Sequence, residues 1–457
     1  MKKRNDDMIK LPAEFVARIS TQFLDDALPL LLSLDLPAES SVRINKSKRA
    51  RLELDFSDPV EWCEEGFFLK SRPAYTLDPL FHAGCYYPQE SSSMFLSFVL
   101  NQLFKTKENI SCLDFCAAPG GKSLIISDFI GEGGLLVSNE INKTRNAILR
   151  EVVTKWGCKN VVVTSSSAPS FSSLSGYFDC VLVDAPCSGE GMFRKDHEAR
   201  NEWSSGSVQV CAQSQKEILS HLMDTVAPGG FLIYSTCTFS QDENKGSCME
   251  VLGSGNFEAV ELDINGLTGI RCISDNGFYG YQFLPHLVRG EGFFVSVFRR
   301  VTDSKRSSSK FQKVFTEPSR NEILRMKQFT ETNGQVVKDK NEQLWLCPLS
   351  CEELNVLAGS VYITLPGVEV GRLIWEDLIP AHALALSGYR HVFVKTELDI
   401  DQTLGFLRGE SISIPDKMGW LEVNYNEVSL GWVKCVGGRC NNYYPKEFRI
   451  RMKNPRQ

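Results

Sequence analysis

Three short stretches carry side chains that can do chemistry. Residues 110–122 read ISCLDFCAAPGGK, an apolar run, Asp114, then a tight Ala/Pro/Gly turn. VLVDAPCSGEG follows, with Asp184 and Cys187, and then FLIYSTCTFS, with Cys237. Carboxylates accept hydrogen bonds, and a cysteine that reaches the thiolate form is a nucleophile. Glycines at 120 and 121 let a backbone approach a ligand, and the start of the following helix offers unpaired N–H groups to a carboxylate. Each stretch also has a plainer reading, because a glycine turn can be only a turn and free cysteine is often buried and inert. No GxGxxG occurs in these stretches, which counts against NAD or FAD.

These residues need elements to hold them. Strands are expected at 110–115, 134–139, 161–164, 179–184, 230–235 and 292–299, and helices at 121–130, 142–157 and 209–226. Pro228-Gly229-Gly230 is read as the break between the last helix and its strand. Strands separated by helix-length segments indicate βαβ units and a parallel sheet. Ligands of such sheets bind beyond the carboxyl ends of the strands. Asp114, the glycine turn, Asp184, Cys187 and Cys237 are therefore expected to converge on one cleft.

The chain has 457 residues, 42% hydrophobic and 23% charged, enough for two to four soluble domains. It has no run of apolar residues long enough for a membrane helix. MKKRNDDMIKLP begins as a basic region but meets Asp6 and Asp7, so no signal peptide is expected. Fifteen cysteines, an odd count, indicate free thiols in a reducing, cytoplasmic setting. The formal net charge of -6 argues against a nucleic-acid partner. Against it, Lys434, Arg439, Lys446, Arg449, Arg451, Lys453 and Arg456 make the end of the chain basic, which is compatible with local RNA binding.

Residues 8–33 read mostly as a helix that Pro29 should kink or end near Leu28. SVRIN (41–45) reads as a strand, and a small α+β domain fits the N-terminal region. HAGCYYPQESSSM (82–94) reads as a helix start capped by its serines. Residues 302–320 are polar, basic and serine-rich, and read as a linker. Residues 330–400 alternate short strands with one helix near 380–388, and 401–457 read as short strands with Gly-rich turns. Cys347, Cys351, Cys435 and Cys440 have the wrong spacing for a zinc site, so no metal is expected.

Taken together, CAAPGGK, DAPC and STC resemble the NOL1/NOP2/Sun family of RNA cytosine-C5 methyltransferases, in its bacterial RsmF/YebU-like branch acting on small-subunit ribosomal RNA. PAHALALS (380–387) and NNYYPKEFRIR near the end extend the likeness into the C-terminal region. The resemblance implies an α/β fold: a Rossmann-like methyltransferase core with a small α+β N-terminal domain and a C-terminal region ending in a β-rich PUA-like domain. The expected boundaries are 1–80, 81–300, a linker at 301–329, 330–395 and 396–457. S-adenosyl-L-methionine is the implied cofactor, held by Cys116, Ala117, Ala118, Pro119, Gly120, Gly121, Lys122, Glu140, Arg145, Ser167 and Asp184. Glu140 would take the ribose hydroxyls. Ser167 stands where the family usually has an aspartate at the adenine, a departure that removes a charge.

Cytosine C5 is a poor nucleophile until a thiolate adds at C6. The resemblance assigns Cys237 as that nucleophile, Cys187 to release of the adduct, Asp184 to the cytosine N3, and Lys195 to the target or its phosphate. Residues 82–94 would line the mouth of the site, Arg43 would contact RNA, and His286 could equally be a core residue. Tyr443, Tyr444 and Phe448 could stack on bases or belong to the core. The second cysteine, in STC, favours RNA over DNA. The implied partner is ribosomal RNA or the small subunit, bound by a monomer away from membranes. Two other readings are a tRNA-directed enzyme of the same chemistry and a catalytically weak ribosome-assembly factor.

Overall fold

A computed structural model describes residues 11–107, 109–304, 311–331, 334–375 and 377–452. The expectations for residues 1–10, for 305–310 in the linker, and for Lys453 and Arg456 lie outside these residues.

A ten-stranded sheet organises the chain. In sequence its strands are β1 (Ser111–Asp114), β2 (Leu135–Asn139), β3 (Val161–Thr164), β4 (Phe178–Asp184), β5 (Val226–Thr236), β6 (Phe257–Ala259), β7 (Ile270–Asp275), β8 (Phe278–Phe283), β9 (Phe293–Arg300) and β10 (Ile363–Leu365). Their order across the sheet is β7-β8-β9-β5-β4-β1-β2-β3-β10, with β6 paired to β9. Strands β3, β2, β1, β4 and β5 are parallel to one another. Their Val/Ile/Leu-rich runs are buried along nearly their whole length, as both faces of such a sheet require. Four helices matter for the site: α1 (Ala13–Phe23), α2 (Gly121–Ile130), α3 (Lys143–Trp156) and α4 (Ser205–Leu222). The Asn142 side chain caps α3 at Thr144 and Arg145, and Gly157, at φ 83°, ends it. The strand order reverses between β1 and β4, which opens a crevice at their carboxyl ends.

Several local expectations are corrected. The first helix ends at Phe23, followed by Leu24 at φ 49°, and a new helix runs over Ala27–Ser33. Pro29 sits in the first turn of that second helix, where its missing N–H costs nothing. Helix α4 ends at Leu222, and Pro228–Gly230 lies inside β5, where the register against β4 shifts. Helices also run over Arg320–Met326, Cys351–Ala358 and Ile400–Arg408, in stretches read as linker or strand. Each begins with a reciprocal capping box, Ser319/Glu322, Ser350/Glu353 and Asp399/Gln402, a signal present in the sequence.

Strand β10 comes from beyond residue 330 yet extends the ten-stranded sheet by pairing antiparallel with β3. A separate five-stranded sheet closes the chain, and in it Cys435 faces Cys440 across a hairpin and is disulfide-bonded to it. The expectation of free thiols throughout is therefore wrong at this pair, because antiparallel register sets the two residues directly opposite. Arg43 also departs from expectation. It lies in the strand Ser40–Ile44 of a four-stranded N-terminal sheet, is buried, donates to Asp128 Oδ2 at 2.7 Å and lies over the Trp156 ring, so it ties that sheet to the core. No described helix is long and apolar enough to cross a membrane.

Candidate active site

The three chemical stretches all end at the carboxyl side of β1, β4 and β5. Because β4 and β5 are adjacent and parallel, with Asp184 opposite Ser235, the turns that follow them run side by side. Cys187 Sγ and Cys237 Sγ lie 3.3 Å apart. Both cysteines are partly buried. The Cys237 sulfur beside Cys187, together with burial, pushes the Cys187 thiol well above its usual range, so Cys187 keeps its proton.

Asp184 faces the same space. Ser235 Oγ donates to one carboxylate oxygen at 2.7 Å, and Lys122 Nζ donates to the other at 2.9 Å. Burial would lower the Lys122 ammonium, but Asp184 reverses this and the net shift is upward. Lys122 therefore stays charged, and it also stands over the Phe293 ring. It leaves the first turn of α2 toward the Asp184 side of the cleft.

The cofactor stretch forms the turn from β1 into α2. The Ala118–Pro119 bond is cis, and Gly120 has φ 125°, a conformation that favours glycine. A Cβ at Gly121 would sit 3.1 Å from Gln89 Nε2 and Tyr87 Cε1, so Tyr87 and Gln89 lean directly on this turn. Cys116 follows β1, and burial raises its thiol well above the usual range. Arg145 donates to Ala118 O at 2.7 Å and pairs with Glu140 at 3.2 Å, linking the loop to the end of β2. Glu140 is buried, and its Oε1 accepts from Asn142 N. Its Oε2 is ion-paired with Arg145 Nη1, and a buried carboxylate at the end of β2 is placed to receive the hydroxyls of a ribose. Asp114 is fully buried, bonded to Ser123 Oγ at 2.6 Å, and its other oxygen is unpartnered. A buried carboxylate at Glu140 and a helix start beyond the Gly120 turn fit S-adenosyl-L-methionine.

Ser167 is exposed after β3, with only Ser170 Oγ at 3.4 Å. The neighbouring Ser165 and Ser166 bond the Tyr362 backbone at the start of β10. Lys195 lies 3.7 Å from Glu291, which also binds Arg194 at 2.9 Å. The serines of 91–93 do not cap the following helix. Glu90 accepts from Ser92 N and Ser93 N, while the Ser91 and Ser92 hydroxyls bind the carbonyls of Arg289 and Glu291. His286 pairs with Asp26 at 3.4 Å, away from the cysteine turns in the sequence and bonded to none of them. Tyr444 is core, whereas Tyr443 is exposed against Trp420. Among the described residues no cluster of metal-ligating side chains exists.

Two residues that sequence reasoning passed over hold both cysteine turns. Glu243 accepts from Ser188 and Thr238, and Glu190 accepts from Phe239 N, Trp203 Nε1 and Arg18. Their signal was proximity: each lies within a few residues of a candidate cysteine, in SGEG and in FSQDEN.

This fold and cofactor turn define a Rossmann-like, S-adenosyl-L-methionine-dependent methyltransferase. Solved structures share the fold: NSun6 from Pyrococcus horikoshii with SFG (TM-score 0.54, 20% identity, 64% of this chain and 99% of that one) and a methyltransferase homolog protein from the same organism (TM-score 0.55, 24% identity, 64% and 96%). The sequence model described as 16S rRNA methyltransferase RsmB/F matches residues 101–299. The N-terminal domain of 16S rRNA methyltransferase RsmF matches 11–91, and the methyltransferase RsmF PUA domain matches 393–450. The ribosomal RNA small subunit methyltransferase F of Shewanella piezotolerans is 30% identical over 86% of this chain and 85% of its own. That of Vibrio cholerae is 29% identical over 98% and 99%. The chain belongs to the RsmB/F family of 16S rRNA methyltransferases, with the RsmF-type N-terminal and PUA domains.

Proposed function

We propose that this protein methylates C5 of a cytosine in small-subunit ribosomal RNA through a covalent adduct to Cys237. The observation that carries this reading is the pair of sulfurs 3.3 Å apart beside the Asp184–Lys122 pair. Two thiols at one cleft suit a reaction in which one adds and the other helps it leave.

The Cys237 thiolate adds to C6 of the cytosine, forming an S–C6 bond and making C5 enamine-like. The proton given up by the Cys237 thiol is taken up at N3, whose N–H then donates to the Asp184 carboxylate, and it returns to Cys237 after release. Lys122 fixes that carboxylate from behind. C5 takes the methyl group of S-adenosyl-L-methionine, whose S–CH3 bond breaks. The C5 proton then passes to water, the C5–C6 double bond re-forms and the S–C6 bond breaks. Cys187, still protonated, donates a hydrogen bond to the departing Cys237 sulfur and so stabilises it as a leaving group.

Glu140 would hold the ribose, the 116–122 turn and the start of α2 the methionine carboxylate, and Ser167 the adenine edge. The C-terminal PUA domain would position the RNA chiefly through phosphate contacts. The target base has to be unstacked to reach the cleft, as for other enzymes acting on bases.

The test is transfer of labelled methyl from S-adenosyl-L-methionine to small-subunit rRNA, free and in assembled subunits, with Cys237→Ala beside it. Label recovered as 5-methylcytosine with the unaltered chain alone is the expected result. Label on tRNA instead, or cofactor binding without any transfer, would overturn it.

A further inference from the structure

Of the two carboxylates that join the turn after β4 to the turn after β5, Glu190 reaches Phe239, and Glu243 reaches the residue after each cysteine. Glu243 is fully buried and lies on neither turn's apex. Its Oε2 accepts from Ser188 N at 2.9 Å and from Gln215 Nε2 at 3.0 Å. Its Oε1 accepts from the Ser188 hydroxyl and from Thr238 Oγ1 at 3.2 Å. Ser188 follows Cys187 and Thr238 follows Cys237, so the residue after each cysteine is bound to the same group. Ser188 Oγ and Thr238 Oγ1 are themselves 3.0 Å apart. Gln215, on α4, also donates to Pro186 O at 2.9 Å, and Tyr234 OH donates to the Glu243 backbone carbonyl at 2.7 Å, so the carboxylate is anchored to the helix and the residue's backbone to β5.

The turns also pack closely against each other at Gly191. Gly191 N donates to Cys237 O at 2.8 Å, and a Cβ at Gly191 would come within 2.8 Å of that oxygen. Glu190 holds the turns at Phe239, and Glu243 alone of the two carboxylates binds the residue that follows each cysteine.

We propose that Glu243 is the positioning residue that sets the distance between Cys187 and Cys237, and through it the release of the methylated base. This rests on the two-thiol reading above. A buried carboxylate is suited to the task because it accepts four hydrogen bonds at fixed angles, two of them from each oxygen, whereas an amide offers only one acceptor oxygen. Burial raises its pKa, and the Ser188 and Gln215 donors work the other way. Glu243 does not touch the base in this scheme. Its loss should leave Cys237 able to add to C6 and should impair the step that needs both sulfurs.

The experiment compares Glu243→Gln, Thr238→Val and Cys187→Ala with the unaltered chain. Two readouts are needed besides methyl transfer. One is the covalent protein–RNA band on a denaturing gel. The other is bridging of the Cys187 and Cys237 thiols by dibromobimane, identified by peptide mass. In Glu243→Gln, kcat should fall by roughly a hundredfold, the loss expected from a displacement of about 1 Å, with KM for S-adenosyl-L-methionine unchanged. The covalent band should accumulate although Cys187 is present, and bridging should slow. Thr238→Val, which removes one hydroxyl without changing shape, should shift bridging the same way by a smaller factor, and it decides the matter if Glu243→Gln does not fold. Unchanged bridging in a folded variant would overturn the proposal. A Cys187→Ala chain without a covalent band would sink the two-thiol reading instead, and bridging would still report whether Glu243 sets the spacing.

Discussion

Cys187 and Cys237 are separated by 50 residues in sequence, yet their sulfurs are 3.3 Å apart. Parallel pairing of β4 with β5 brings the two turns together, and the neighbouring Cys237 sulfur, with burial, raises the Cys187 thiol. The proposed mechanism gives the two thiols separate jobs. Cys237→Ala should lower methyl transfer by at least about a thousandfold, as loss of a covalent nucleophile does. Cys187→Ala, with Cys237 intact, should trap a covalent protein–RNA band on a denaturing gel. A Cys187→Ala chain that turns over without such a band would remove Cys187 from the release step.

The serine after β3 is open to a gain of function. Ser167 is exposed and has one long contact, to Ser170. A carboxylate there would accept a hydrogen bond as a charged partner, worth about 1.5 kcal/mol more than none. Ser167→Asp should tighten S-adenosyl-L-methionine binding roughly tenfold in a calorimetric titration. An unchanged Kd would mean that this side chain does not reach the adenine.

Asp114 should leave a mark on the pH dependence of stability. Burial pushes its carboxyl up to about 7 from an ordinary 3.8, with Asp184 adding to the rise and the Ser123 hydroxyl opposing it. Between those values the native chain keeps a proton that the unfolded chain has lost. Stability from this group is therefore highest at the acid end and falls as pH rises through the window, by ~1.4 kcal/mol for each step of one in pH. Asp114→Asn keeps the Ser123 hydrogen bond and cannot ionise. Its melting temperature should decline less than that of the unaltered chain between about pH 4 and pH 7. Equal slopes would show that Asp114 does not titrate in this window.

Arg43 should behave as a structural residue. Its guanidinium is buried between Asp128 and the Trp156 ring. Arg43→Ala should cost about 2 kcal/mol, a figure held down because Asp128 is about a third exposed. RNA affinity at fixed salt should not change. A clear loss of RNA binding with the melting temperature intact would return Arg43 to the RNA surface.

The sequence by itself determined the elements around the site. Each parallel strand is a short apolar run, Gly120 and Gly121 open the cofactor turn, and Asn142 and Gly157 bracket α3. These are local signals, set by side-chain period, capping and backbone freedom, and they survive without knowledge of the fold. CAAPGGK, DAPC and STC added the chemistry through their resemblance to a family. The capping boxes at Ser319, Ser350 and Asp399 were equally local and were overlooked.

Only the tertiary structure decided which of these pieces meet. Glu243 reads in sequence as one acid among several, and becomes distinctive when four donors from two turns and a helix close around it. Arg43 reads as a surface cation until Asp128 and Trp156 enclose it. Cys435 and Cys440 read as free thiols until antiparallel register sets them face to face. Ile363–Leu365 reads as part of a separate region, yet it completes the edge of the methyltransferase sheet beside Ser165 and Ser166. In each case the deciding contact spans the fold or depends on strand register. Its energy comes from burying polar groups with their partners, and local pattern carries no record of which partner that will be.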